Sequence, residues 1–269
     1  NRYYASASFR RDASSVFHPK HRWGSFWSFG ASWRVSEEDF YAPFKHYLSN
    51  LKLKASYGQQ GNDYLLLANG YRNWQPYQNV YNVTSNGSAL SLTPQYMGNE
   101  NVTWETNHNF NVGLEFAVLS NIISGEVEFF TRKTTDMLFN LPVPSSTGFS
   151  SKPTNIGDMR NTGVEFTLNA KIFDRPDFSW NVNVNATHFK NEIIRLPDEY
   201  KKDGLINGEQ RFVEGRSIYE YHMVKTAGVD PETGMALYWL KDKKEDTEYK
   251  RQGYGAPPAG VRPQLVWPT

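Results

Sequence analysis

Glu115, Glu126, Glu128 and Glu165 recur along segments of alternating character, and paired carboxylates are the equipment of glycoside cleavage. Hydrolysis needs two of them about 5 to 9.5 Å apart across one bond, and nothing in the spacing defines such a pair. His18 and His21 in HPKH raise a metal reading, but no third donor follows at a convincing spacing, so a solvated loop accounts for them. DPETG reads as a turn, with Pro231 presetting φ and Gly234 admitting a positive one, and it lacks the further acidic ligands of a calcium loop. The mixed-sign run KDKKEDTEYKR reads as solvated. The N-x-S/T matches at Asn82, Asn86 and Asn101 are short enough to arise by chance. GYRNWQPYQNVYN is the best ligand feature: Trp74, Tyr77 and Tyr81 offer ring faces for stacking on sugars, beside Asn and Gln that match hydroxyls. The alternative is that these rings pack a long loop. No catalytic, cofactor-binding or metal-binding set is expected.

Such residues need a frame, and composition narrows it. The 269 residues carry a net charge of +1, which gives no basic surface for nucleic acid, and no cysteine, which excludes disulfides and thiolate metal sites. Mean hydropathy is −0.65, and no apolar run approaches the roughly 18 residues of a membrane helix. A transmembrane β-barrel escapes that test, because only alternate residues meet lipid while the lumen is polar. The chain opens on NRYYASASF, without the charged and apolar regions of a signal peptide, and is expected to be a fragment.

Period-two alternation supplies the frame. In SWNVNVNATHFKN, Trp180, Val182, Val184 and Ala186 share one face, and Asn181, Asn183 and Asn185 the other. In NHNFNVGLEFAVL, Phe110, Val112, Leu114, Phe116 and Val118 oppose Asn111 and Glu115; in TGVEFTLNAKIF, Val164, Phe166, Leu168 and Ala170 oppose Glu165, Thr167 and Asn169. RYYASASFRR, WGSFWSFGASWRV, LKLKASYG and NIISGEVEFFTRK repeat the code more weakly, the last placing Glu126 and Glu128 on its polar face. About seven strands are predicted, several of the 9–11 residues that cross a bilayer when tilted. Connections alternate in length: 36–49, LSN and DRPD at one end, and long segments near 59–103, 134–161 and 191–262 at the other. Short turns on one side and long loops on the other are the habit of outer-membrane barrels. Trp23, Trp27, Trp33, Trp104 and Trp180 fall near strand ends, where an interfacial girdle is expected.

LKLKASYGQQGN, WETNHNFNVGLEF, SGEVEFFTRKTTDML, PVPSSTGF, NIGDMRNTGVEFTLNA and DFSWNVNVNATHFKN, in this order, resemble the barrel of the SusC/RagA family of TonB-dependent outer-membrane transporters of Bacteroidetes. The resemblance covers most of residues 1–200. It implies an all-β fold: an antiparallel transmembrane sector of about seven strands from a 22-stranded barrel, with residues 1–269 a partial barrel domain lacking plug and C-terminal strands. It further implies an outer-membrane importer of oligosaccharides or peptides that works with a SusD-like lipoprotein and draws energy from TonB through a missing N-terminal region. Asn111, Glu115, Glu126, Glu128, Glu165, Asn169, Asn181, Asn183 and Asn185 are expected to face the lumen, while Val112, Leu114, Phe116, Val164, Phe166, Leu168, Val182 and Val184 face lipid. Two other classes compete: a secreted carbohydrate-binding β-sandwich, with its apolar faces packed on each other, and a glycosidase domain.

Overall fold

A computed structural model describes residues 1–67, 70–87, 89–224, 226–229, 231, 234, 236–238 and 265–266. The chain divides into two units, 1–197 and 198–269. The first is built on β1 (Tyr3–Ala13), β2 (Trp23–Arg34), β3 (Leu48–Asn62), β4 (Val80–Asn86), β5 (Ala89–Tyr96), β6 (Glu105–Val118), β7 (Ile123–Pro142), β8 (Ser151–Arg175) and β9 (Phe178–Arg195). Seven of these form one antiparallel sheet in the order β1-β2-β3-β6-β7-β8-β9, and β4 with β5 makes a separate hairpin. A sandwich needs two packed sheets, and the predicted strands lie in a single one. The outer strands β1 and β9 pair, among the described residues, with β2 and β8 only.

Register converts the alternation into two continuous faces. Tyr3, Trp33, Leu53, Leu114, Val127, Phe166 and Ala186 form one row across all seven strands, each residue paired with the next. Above this row the apolar face reaches Phe9 on β1, Tyr57 on β3 and Phe110 on β6, but only Val164 on β8, and on β9 His188 already follows Ala186. The band therefore slides by about one residue per strand, and with a rise of about 3.3 Å and a strand spacing of about 4.8 Å this corresponds to a tilt of roughly 35°. From Phe110 to Val118 the band on β6 is then roughly 22 Å tall, close to the lipid-facing belt of an outer-membrane barrel. Several of those residues stay exposed in the sheet, Phe9 at 71% and Phe110 at 41%, and the rest of the row is no more than half-buried, so the apolar face has no protein cover among the described residues.

Aromatic pairs border the band. Tyr3 stacks on Trp33 at 6.4 Å and Phe173 on Trp180 at 6.1 Å at the short-turn end, while Trp27 lies 5.3 Å from Tyr57 near the other. Trp104 departs from the expected girdle. Its indole Nε1 donates to the Arg22 carbonyl at 3.0 Å, and its ring meets Phe17 and Phe26 edge-on. It packs against the buried cluster of Val16, Phe17 and Val102, together with Leu138.

The segment 134–161 also differs from the expected loop. β7 runs for 20 residues and β8 for 25, and they stay paired out to Pro142 and Ser151. Roughly half of β8 thus exceeds the 9–11 residues a bilayer requires. The segment 59–103 likewise contains the end of β3 and the β4–β5 hairpin. The second unit contributes, among its described residues, only short pairs such as β10 (Leu205–Asn207) with β11 (Gln210–Phe212). The mixed-sign run after Lys241 and most of DPETG lie outside the described residues.

Candidate functional site

The polar face carries two networks. Lys52 and Lys54 on β3 pair in register with Glu115 and Gly113 on β6, which in turn oppose Glu126 and Glu128 on β7. Lys52 Nζ lies 3.3 Å from Glu115, and Lys54 Nζ lies 3.7 Å from Glu115, 3.2 Å from Glu128 and in contact with Glu126. Gly113 makes this convergence sterically feasible, because a Cβ there would sit 2.7 Å from Lys54 Cε. Three carboxylates are thus gathered on two shared ammonium groups, a cross-strand ion-pair network in which each carboxylate has a cationic partner. Glu165 lies beside Arg132 at 3.8 Å.

The second network is made of amides. Thr167 donates to Asn185 at 3.0 Å, Asn185 donates to Asn183 at 2.6 Å, and Asn183 donates to Asn169. Asn111 donates to Ser56 Oγ at 3.3 Å, and Asn181 sits opposite Lys171 on the same face. All nine polar residues predicted from alternation thus share one face of one sheet. Lys52 and Lys54 were visible in the same alternation, yet their role comes only from cross-strand register, which composition does not encode. Between β1, β2 and β3 the face is lined by Ser6, Ser8, Ser28, Gly30 and Ser56, leaving a shallow trough of about 460 Å³.

The three candidate ligand aromatics are positioned separately. Trp74 lies under the Arg72 guanidinium at 4.2 Å, and Arg72 also covers Tyr64 at 5.4 Å while pairing with Asp63 at 2.8 Å. Tyr77 meets the His18 ring edge-on at 5.9 Å, and Tyr81 contacts Phe149 at 6.0 Å. Trp74 is 61% exposed despite Arg72, so much of its ring stays open to solvent. Tyr64 and Arg72 were missed by sequence reasoning, and the only signal for them is their nearness to Trp74.

Above the apolar band a polar corner stiffens the β7–β8 extension. Arg195 donates to Asp158 at 3.0 Å and lies 3.5 Å from Asp136, and Lys133 lies 3.4 Å from Asp158. Burial acts to raise the Asp158 carboxyl, but the hydrogen bond and charge of Arg195, with Lys133 and the Asp136 backbone, hold it below the ordinary aspartate value. A depressed carboxyl contributes stability above its unfolded value and loses it as pH falls through the folded one. The extension is therefore expected to resist proteolysis at about pH 5 and to loosen only below about pH 4, with Asp158→Asn abolishing that acid step. Proteolysis across a pH series checks this.

Comparison with known proteins follows the same geometry. The family model described as "TonB dependent receptor-like, beta-barrel" matches residues 1–230. TonB-dependent receptor SusC of Bacteroides thetaiotaomicron is 34% identical over 227 residues, covering 81% of this chain and 22% of that protein. TonB-dependent receptor P39 of Formosa agariphila is 31% identical over 229 residues, covering 85% of this chain and 21% of the relative. Among solved structures, that of the RagAB peptide transporter is 31% identical with a TM-score of 0.75, covering 89% of this chain and 26% of the matched one. The "open-open" state of the RagAB peptide importer gives 30% and 0.76, covering 95% and 27%. The chain spans about a fifth of the length of the curated relatives it matches.

Proposed function

Because the chain belongs to the TonB dependent receptor-like β-barrel family, we propose that its parent imports a bulky polar nutrient, an oligosaccharide or a peptide, across the outer membrane. In this reading the sector is part of the wall of a 22-stranded barrel, and residues 1–269 are a partial barrel domain that does no bond chemistry. A SusD-like lipoprotein caps the mouth, and TonB supplies energy through a region outside this sector. The observation that carries the reading is the continuous two-faced sheet, with Asn111, Glu115, Glu126, Glu128, Glu165, Asn169, Asn181, Asn183 and Asn185 together on its polar face; in this reading the polar face lines the lumen and lipid takes the apolar rows. Amides and ion-paired carboxylates exchange hydrogen bonds with a hydrated solute as it passes. Peptide or glycan is consistent with that chemistry.

Capture is assigned to the outer loop that carries Trp74, Tyr77 and Tyr81. Removing residues 71–81 from the intact parent is expected to abolish uptake of labelled oligosaccharide or peptide while the barrel stays in the membrane. Trp74→Ala alone should weaken half-saturation by roughly two- to tenfold, the worth of one stacking face. Glu126→Gln with Glu128→Gln is the control for enzymology. If that pair eliminated a hydrolytic activity of the purified parent, the transport reading would give way to a glycosidase.

A further inference from the structure

The β2–β3 connection, residues 35–47, is longer than the two tight turns at the same end of the sheet and holds two 3-10 helices, Val35–Glu37 and Asp39–Phe44. Inside it Tyr41 is buried and donates from its hydroxyl to the Leu48 carbonyl at 3.0 Å. Ser36, also buried, reaches Asn50 at 3.4 Å. The segment is thus fastened to the foot of β3. Phe40, Phe44 and Tyr47 are nevertheless 63%, 60% and 73% exposed, a concentration of large rings that a water-facing turn has no reason to show.

Which side of the wall those rings serve follows from Glu38. Its carboxylate accepts from the Tyr3 hydroxyl at 2.6 Å, from the Trp33 indole at 2.9 Å and from Arg2 at 3.0 Å. Tyr3 and Trp33 are the paired, stacked residues at the lower border of the apolar face on β1 and β2. The connection is therefore anchored round to the apolar side, continuous with the lipid-facing band. Its own charges are Glu37, Glu38 and Asp39 against Lys45, and Arg2 and Arg34 just outside it balance the remainder, with Arg2 on Glu38 and Asp39, and Lys45 on Glu37 at 3.7 Å. A segment with no surplus cation has nothing to draw it to anionic headgroups.

We propose that residues 35–47 form a membrane foot, with Phe40, Phe44 and Tyr47 seated in the zwitterionic headgroup layer of the periplasmic leaflet. Aromatic rings favour that depth because one edge stays wet while the body meets acyl chains. The foot widens the lower girdle at a place where β1 and β2 end on Tyr3 and Trp33, so the wall is gripped below its last apolar row. The inference rests on the barrel fold and is independent of what the parent imports.

The test places photoreactive benzoylphenylalanine at position 44, and separately at 40, in the intact parent, reconstituted in nanodiscs of phosphatidylethanolamine and phosphatidylcholine. Irradiation should give a phospholipid adduct on the peptide containing the label, with label at Ser6 on the polar face giving none. A cross-link to another part of the parent would overturn the proposal in favour of an internal docking face, and the absence of any adduct would overturn it in favour of a solvated turn. An adduct that appears only when phosphatidylglycerol is added would overturn the zwitterionic assignment. Because a bulky label can disturb the fold, Phe44→Ser supplies the second reading. It should lower the thermal midpoint of the parent in nanodiscs and leave it unchanged in short-chain detergent, whereas an equal loss in both would refute the foot.

Discussion

Leu114→Arg is expected to cost the parent barrel about 2–4 kcal/mol of folding stability in a bilayer, as a charge at the midplane of the lipid face does. Leu114 is the middle of the five apolar residues that β6 presents between Phe110 and Val118, with Leu53 and Val127 paired on its two sides. An arginine there has no short path for its guanidinium to reach either headgroup layer. The same change at Asn111, on the opposite face of the same strand beside Ser56, should stay within about 1 kcal/mol, since lumen substitutions leave lipid contacts untouched. Urea-dependent folding into vesicles, followed by the heat-sensitive migration of folded barrels, measures both. Equal penalties at the two positions would sink the assignment of lipid and lumen faces.

That contrast rests on the part of the fold that the sequence states most openly. In β6, β8 and β9 the apolar and polar residues alternate almost without interruption, so strand identity and the membership of each face could be read from SWNVNVNA or TGVEFTLNA before any register was known. Partners could not. That Lys54 gathers Glu115, Glu126 and Glu128 depends on a stagger between β3, β6 and β7, which is fixed by turn geometry at one end and by neighbouring strands along the whole length. The girdle shows the same division. Trp33 and Trp180 lie where strand ends predict, but Trp104 turns inward because Phe17, distant in sequence, joins the neighbouring Val102 in a buried site for it.

The β7–β8 extension was hidden for a different reason. TTDMLFNLPVPSSTGFSSKPTNIGDMR contains the Pro, Gly, Ser and Asn that ordinarily mark a loop, yet apart from Asp136 and Gly157 only 143–150 leaves the ladder. Breaker residues are accommodated inside it. Asp136 and Gly157 both adopt positive φ, 53° and 55°, between the pairs Thr135 with Asp158 and Met137 with Ile156. Asn155 donates to the Asp136 carbonyl at 2.8 Å and to the Thr103 carbonyl at 2.9 Å, so the disturbed backbone keeps its partners. Local propensity argued for a turn, and pairing with a partner strand outweighed it.

Gly157→Val should therefore be the most damaging single change in that extension. The left-handed backbone is disfavoured for a β-branched residue by about 1–3 kcal/mol, and the position offers no room to relax. A Cβ at Gly157 would lie 2.1 Å from the Arg195 carbonyl oxygen, at the end of β9 that supplies the guanidinium holding Asp158. Relieving the overlap means moving β9 away, which separates Arg195 from Asp158 and removes the charge partner that keeps a buried carboxylate ionised. A total loss of about 3 kcal/mol or more is expected, combining backbone strain with the broken pair. Gly148 provides the comparison. It also has a positive φ, 77°, but nothing lies within 4 Å of its Cβ position, so Gly148→Ala should cost only about 1 kcal/mol. Amide hydrogen exchange across 137–156 in the parent would register the difference as rapid exchange for Gly157→Val and near-native protection for Gly148→Ala. Similar protection in both variants would mean that the corner tolerates displacement of β9, and that the extension is held by its ladder alone.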